Sequence, residues 1–175
     1  MRSTMPRVTV LPYDSRWKTD FQNIKETLEE AVGDLALRIE HVGSTSVEGL
    51  SAKPCIDIDL VIKDDSVFSA VAAKLATIGY IHQGNLGIPG REAFDYTDKP
   101  HLQKHHLYVC PVHSKELHRH LTFRDFLRAH PEAAAKYGAV KIEAARLFPE
   151  DIDGYIAYKQ PCIEELYKEC GLKEK

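Results

Sequence analysis

Residues 38–62 read "RIEHVGSTSVEGLSAKPCIDIDLVI". The last eight, "CIDIDLVI", predict a strand. Alternate residues of a strand share a face, so Ile56, Ile58, Leu60 and Ile62 point one way and Asp57, Asp59 and Val61 the other. The first set is wholly apolar and assigns that face to the core. The second places two carboxylates side by side, where each raises the other's pKa unless a cation or donors compensate. Two arrangements relieve this: a face open to water, or a divalent metal between the carboxylates. Hard oxygen ligands suit magnesium, which keeps several waters and completes its shell from substrate phosphates. If repulsion dominates, asparagine at both positions should leave stability intact or raise it.

The segment before this strand bears on the choice. Strand "RIEHV" runs into Gly43, whose missing side chain lets backbone approach a ligand. Ser44, Thr45 and Ser46 add hydroxyl donors, and a helical turn there would expose backbone amides to an anion. Lys53 adds a cation. Gly-Ser, a short loop and then Asp-x-Asp thus serve one chemistry, with phosphates held by the loop and metal by Asp57 and Asp59.

The chain of 175 residues suits a single domain, sheet-rich over 7–112 and helical over 113–170. Its net charge of -3 gives no global basic field, so no nucleic-acid partner is expected. "MRSTMPRVTV" lacks an apolar signal region and no apolar run reaches membrane length; the expectation is a cytoplasmic protein. Cys55, Cys110, Cys162 and Cys170 form no C-x-x-C pair and read as reduced thiols.

Strands are predicted at "RVTVLPY" (7–13), "ALRIEHV" (36–42), "CIDIDLVI" (55–62), "REAFDYT" (91–97) and "HHLYVC" (105–110). Helices are predicted over 14–34, with Trp17, Phe21, Ile24, Leu28 and Val32 at helical spacing, and over 64–79. Three more follow at 114–130, 131–148 and 151–170, with Pro131 in a first turn and Pro161 expected to kink or interrupt the last. The fold class is α+β, a mixed sheet with flanking helices and a helical C-terminal half.

Further candidates lie outside the central stretch. His105 and His106 fall on opposite strand faces, so one of them, His106, can join the Asp57 face. His118 and His120 are two apart on a helix and do not share a face, which argues against zinc. Arg91 offers a fork of donors for phosphate. Tyr137 with Lys141, and Tyr155 with Lys159, are i,i+4 pairs that could present an aromatic surface and a cation to a nucleotide.

The arrangement of Gly43-Ser44 before Asp57-x-Asp59 resembles the nucleotidyltransferase superfamily that includes polymerase beta. "HVGSTSV" followed by "AKP" and "DID", with "VTVLPYDSRW", "HHLYV", "LTFRDFLRAHPEAAAKY" and "YIAYKQPCIEEL", resembles the GrpB family over about residues 8–170. The resemblance implies that Gly43 and Ser44 hold phosphates and Asp57 and Asp59 bind magnesium. Thr45, Lys53, Arg91, Lys141 and Lys159 are the expected assistants, and His106 the candidate for the acceptor proton, since histidine near ~6.5 suits a base. The implied ligand is a nucleotide or other phosphorylated small molecule. The superfamily takes a third carboxylate from a later strand; "HHLYVC" has none, which leaves Asp95 as the alternative. Two functions follow: a magnesium-dependent nucleotidyltransferase, or a catalytically silent nucleotide- or coenzyme-binding module.

Overall fold

The computed structural model describes residues 7–172. In chain order the main elements are α1 (Arg16–Val32), β1 (Arg38–Val42), β2 (Ile56–Ile62), α2 (Phe68–Ala76), β3 (Tyr80–Gly84), β4 (Glu92–Tyr96), β5 (His105–Pro111), α3 (Lys115–Ala129), α4 (Pro131–Leu147) and α5 (Ile152–Glu169). The strands form one mixed five-stranded sheet in the order β1-β2-β5-β4-β3. β2 and β5 run parallel at its centre, and the other pairings are antiparallel.

β2 lies inside the sheet, between β1 and β5, with both its faces covered. Ile56, Ile58, Leu60 and Ile62 pack with Leu107 and Val109 of β5 against Trp17, Ile24, Leu28 and Val32 of α1 and Val71 and Leu75 of α2. On the opposite face Asp57 and Asp59 stand beside His106 and Tyr108 of β5, and Val42 and Glu40 of β1. α3 crosses this second face and ties itself down through Arg124, which donates to Glu40 Oε1 at 2.9 Å and to the His41 carbonyl at 3.1 Å.

The C-terminal helices roof the loop between β1 and β2. Val47 and Leu50 of that loop are buried with Leu127 of α3, Ala133, Ala134 and Tyr137 of α4, and Cys162 and Leu166 of α5. Gly138 of α4 faces Leu50 and Ser51 of the loop at contact distance.

Several expectations need correction. Segment 7–13 is not a strand; Leu11 makes an isolated bridge to Ala52, while the Val8 amide donates to the Pro149 carbonyl. Its alternation reflects Val8 and Val10 packing on Ala144 and Tyr155. Strand β3 was not expected: "YIHQG" buries Tyr80 while Ile81, His82 and Gln83 are exposed, so it lacks the apolar alternation that would announce it. The helix expected over 64–79 is a 3-10 turn, Asp65–Val67, followed by α2; Asp64 caps the turn by accepting from the Ser66 amide. α5 continues through Pro161 without interruption.

Candidate functional site

The chain leaves β1 at Gly43, where φ is 73°. A Cβ at this position would collide with the Asp57 carboxylate, so the glycine is required by both backbone conformation and space. The turn that follows, Ser44–Ser46, is 3-10 and three residues long. The amides of Ser46 and Val47 are spent inside it, on the carbonyls of Gly43 and Ser44. The loop is held from three sides. Arg128 of α3 donates Nε and Nη2 to the Ser46 carbonyl at 3.0 and 2.8 Å. Thr45 Oγ1 lies 2.9 Å from His41 Nε2, and the His41 ring stacks on Phe21. Burial and the neighbouring Arg128 lower His41 to about 4, so it is neutral and serves as a strut. Ser44 lies beside the buried Tyr137 hydroxyl.

The two aspartates have separate environments. Asp57 is half-buried and meets His106 Nδ1 at 3.0 Å through Oδ1. Asp59 is 0% exposed, and its Oδ2 meets His120 Nδ1 at 2.6 Å. His120 also faces Glu116, with Nε2 3.5 Å from Oε2. Repulsion within the pair is therefore relieved by a third arrangement, one histidine for each carboxylate. The hydrogen bond to Asp57, with a second to Cys55, raises His106 to about 10. Burial pulls His120 down, but its bonds to Asp59 and Glu116 outweigh that and carry it to about 9. His106 thus stands as an imidazolium at neutral pH, which is the opposite of the free base expected from its ordinary titration.

Asp57 opens onto a cavity of about 340 Å³. Gly43, Ser44, Thr45, Lys53 and His106 line it from the sheet side, and Lys141 and Lys159 from the helical side. Lys141 is 2% exposed, with its amine 4.6 Å from the centroid of Tyr137. Lys159 and Lys53 both lie over Tyr155, at 4.7 and 5.4 Å. Burial, with the charges of Lys159 and Lys53, lowers Lys141 to about 7; burial, with Lys53, lowers Lys159 to about 8. Among the described residues none of the three forms an ion pair, and Asp57 is the carboxylate that acts on Lys141 and Lys159.

Two of the expected residues fall outside this wall. Asp59 does not line the cavity; His120 holds its Oδ2 and leaves its Oδ1 unengaged. Arg91 is directed to the Tyr108 ring, 4.1 Å from its centroid, rather than to the phosphate loop. Asp95, the alternative third carboxylate, sits exposed on β4, accepts a bond from Gln83 at 3.5 Å and does not line the cavity. Among the described residues no group of three or more His, Cys, Asp or Glu side chains could hold a metal ion. What remains is the carboxylate of Asp57 beside the buried Asp59 Oδ1, which has no hydrogen-bond partner. Two hard oxygens of this kind fit magnesium that draws its other ligands from water and substrate.

His120, set aside from sequence as a zinc ligand, is the partner of Asp59, and Glu116, Arg119 and Tyr167 were not anticipated. All four belong to the helical half: Arg119 is paired with Glu116 at 3.1 Å and lies over Tyr167, which meets Phe123 edge-on. The i,i+4 spacing of Glu116 and His120 was the available signal for a charged pair.

A mixed sheet with a Gly-Ser turn beside an Asp-x-Asp strand, roofed by helices over a lysine-lined cavity, defines a nucleotidyltransferase-like fold. A solved poly(U) polymerase, Cid1 with MgGTP bound, superimposes with a TM-score of 0.54 at 10% identity, covering 77% of this chain and 43% of that one. The chain belongs to the GrpB family: the family described as GrpB protein matches residues 7–169. The crystal structure of conserved protein GrpB from Enterococcus faecalis aligns with a TM-score of 0.77 at 30% identity, covering 92% of this chain and 98% of that one. The glutamate-rich protein GrpB of Alkalihalophilus pseudofirmus is 32% identical over 167 residues, 93% of this chain and 95% of the relative. Other relatives are longer. The chain spans 46% of UPF0157 protein YqkA of Bacillus subtilis, at 32% identity, and 45% of a dephospho-CoA kinase of Mycobacterium tuberculosis, at 29% identity; each match covers about 90% of this chain. No helix among the described residues is long and apolar enough to cross a membrane.

Proposed function

We propose that the chain is a magnesium-dependent nucleotidyltransferase acting on a hydroxyl or phosphate acceptor. The observation that carries this reading is the convergence of Lys53, Lys141 and Lys159, without ion-pair partners, on the cavity that Asp57 and Ser44 share. Lys141 is buried and Lys159 half-buried without an ion pair among the described residues, which is costly, and a phosphorylated ligand offsets that cost. Gly43, Ser44 and Thr45 border the terminal phosphates. Asp57 and Asp59 Oδ1 would hold magnesium, which when bound supplies charge neutralisation at the transferring group. His106 orients Asp57 and, as a cation, faces the phosphates. Tyr137 and Tyr155 floor the lysines and fix where the chain of phosphates lies. Arg91 acts at a remove, by holding Tyr108 next to Asp59.

A second reading is supported by the engagement of Asp59 with His120 and by the absence of both Asp59 and Asp95 from the cavity lining: a catalytically silent module that binds a nucleotide or coenzyme. Relatives named dephospho-CoA kinase share this region, which supports a nucleotide or coenzyme ligand. The test is transfer of label from α-labelled ribonucleoside triphosphates, with magnesium, to acceptors in a cell extract. The transferase reading expects labelled product that falls by about 10²-fold or more in Asp57→Asn and His106→Ala. Binding without transfer for every nucleotide supports the module.

A further inference from the structure

The cavity has a second end, lined by α3 and α5. From Tyr137 its wall continues to Phe123, with ring centroids 5.9 Å apart, and from Phe123 to Tyr167, which stands edge-on at 4.9 Å. Arg119 closes the row, its guanidinium 5.5 Å from the Tyr167 centroid. The arginines at this end are neutralised by the fold itself. Arg119 donates Nε to Glu116 Oε1 at 3.1 Å, and Arg124 donates Nη1 to Glu40 Oε1 at 2.9 Å. Lys141, on the other side of Tyr137, has no ion pair among the described residues. One end of the cavity therefore attracts anions, while the other is aromatic with its charge already balanced. A charged group gains little at the second end; an uncharged planar ring gains a stacking surface. A cavity of about 340 Å³ suits one small molecule rather than two. A single ligand that fills both ends carries phosphates at one extremity and a planar ring at the other.

We propose that Phe123, Tyr167 and Arg119 form the nucleobase subsite of this cavity, and that Arg119 makes it select guanine over adenine. This rests on the nucleotide-binding part of the function proposed above and adds where the base lies and which base is taken. Phe123 and Tyr167 supply ring surface, which every base can use and which therefore sets affinity rather than choice. Choice comes from Arg119. Glu116 holds its Nε and the Tyr167 hydroxyl meets it as well, so the plane of the guanidinium is fixed. A guanidinium has five N–H donors and no acceptor, more donors than these two contacts use. Guanine presents two neighbouring acceptors, O6 and N7, that match such a fork; adenine presents an amino group in place of O6 and opposes donor to donor. Glu116 acts through Arg119 and is a positioning residue.

Isothermal titration of the full chain with GTP, ATP and inorganic tripolyphosphate, each with magnesium, tests this. The wild type should bind GTP at least about tenfold tighter than ATP, a comparison that needs no variant. Tyr167→Leu should weaken GTP and ATP alike by about tenfold or more and leave tripolyphosphate unchanged. Arg119→Lys keeps a cation for Glu116 but loses the planar fork, so GTP should fall to the affinity of ATP while ATP changes little. A structural role for either residue would move tripolyphosphate together with the nucleotides; circular dichroism checks that both variants fold. Equal affinity for GTP and ATP in the wild type, nucleotide affinity unchanged in Tyr167→Leu, a guanine preference that survives Arg119→Lys, or no nucleotide binding at all overturns the proposal. The label-transfer assay separates it from the transferase reading. Guanine-selective binding without transfer keeps the subsite and removes the transferase. Transfer from ATP and GTP with no preference removes the subsite and leaves the transferase.

Discussion

His120 Nδ1 lies 2.6 Å from Asp59 Oδ2, although 61 residues separate them and the aspartate is wholly buried. This contact fastens α3 to the centre of the sheet, so one of the two aspartates is structural as well as a candidate ligand. Asp59→Asn should therefore destabilise the protein by about 2–3 kcal/mol, the scale for losing a buried charge-assisted hydrogen bond. That reverses the expectation, drawn from repulsion alone, that neutral residues here would be harmless. Chemical denaturation measures it; Asp57→Asn, at the half-buried partner, should cost much less.

The same contact sets a pH dependence. His120 is raised to about 9 in the folded chain, above its ordinary ~6.5 when unfolded. A raised basic group stabilises fully below the unfolded value and loses that contribution as pH climbs through the folded one. The stability difference between wild type and His120→Gln should be large at pH 6 and shrink through pH 9. A difference that grows with pH would show that His120 is buried neutral.

Lys141 has the opposite sign. Its folded value of about 7 lies below the ordinary 10.5, so the unfolded chain binds more protons between those limits and wild-type stability rises with pH across them. Lys53, Lys159 and Asp57 are the charged groups that face it. Lys141→Met should raise the melting temperature by about 3–6 °C at pH 6.5, and the advantage should shrink toward pH 10. A variant that melts lower at pH 6.5 would mean that the ammonium has a stabilising partner.

Gly43→Ala combines a positive φ with a collision against Asp57. The expected cost is about 1–3 kcal/mol, together with loss of ligand binding. Thermal melting and nucleotide titration of the variant check both halves.

The central part of this fold was legible because a period-2 pattern with one all-apolar face is hard to place anywhere but in a buried strand. The same pattern put Asp57 and His106 on one face, where the register Asp57 to His106 has them as direct neighbours. The Tyr137–Lys141 and Tyr155–Lys159 spacings likewise anticipated two ring–amine contacts. Contacts across long separations left no local trace. Asp59 looks the same in sequence whether it meets water, metal or His120, and Arg91 gives no sign that Tyr108 lies under it. β3 escaped because one buried residue, Tyr80, does not make a pattern. Segment 7–13 misled because alternation also arises when an extended chain packs on helices rather than on a strand.

The most direct measurement of the central claim is isothermal titration of nucleoside triphosphates with and without magnesium, in wild type and Asp57→Asn. Magnesium is expected to tighten binding to the wild type by about tenfold or more, and Asp57→Asn to lose this gain while remaining folded. Nucleotide affinity indifferent to magnesium in the wild type, or a magnesium effect that survives Asp57→Asn, would contradict it.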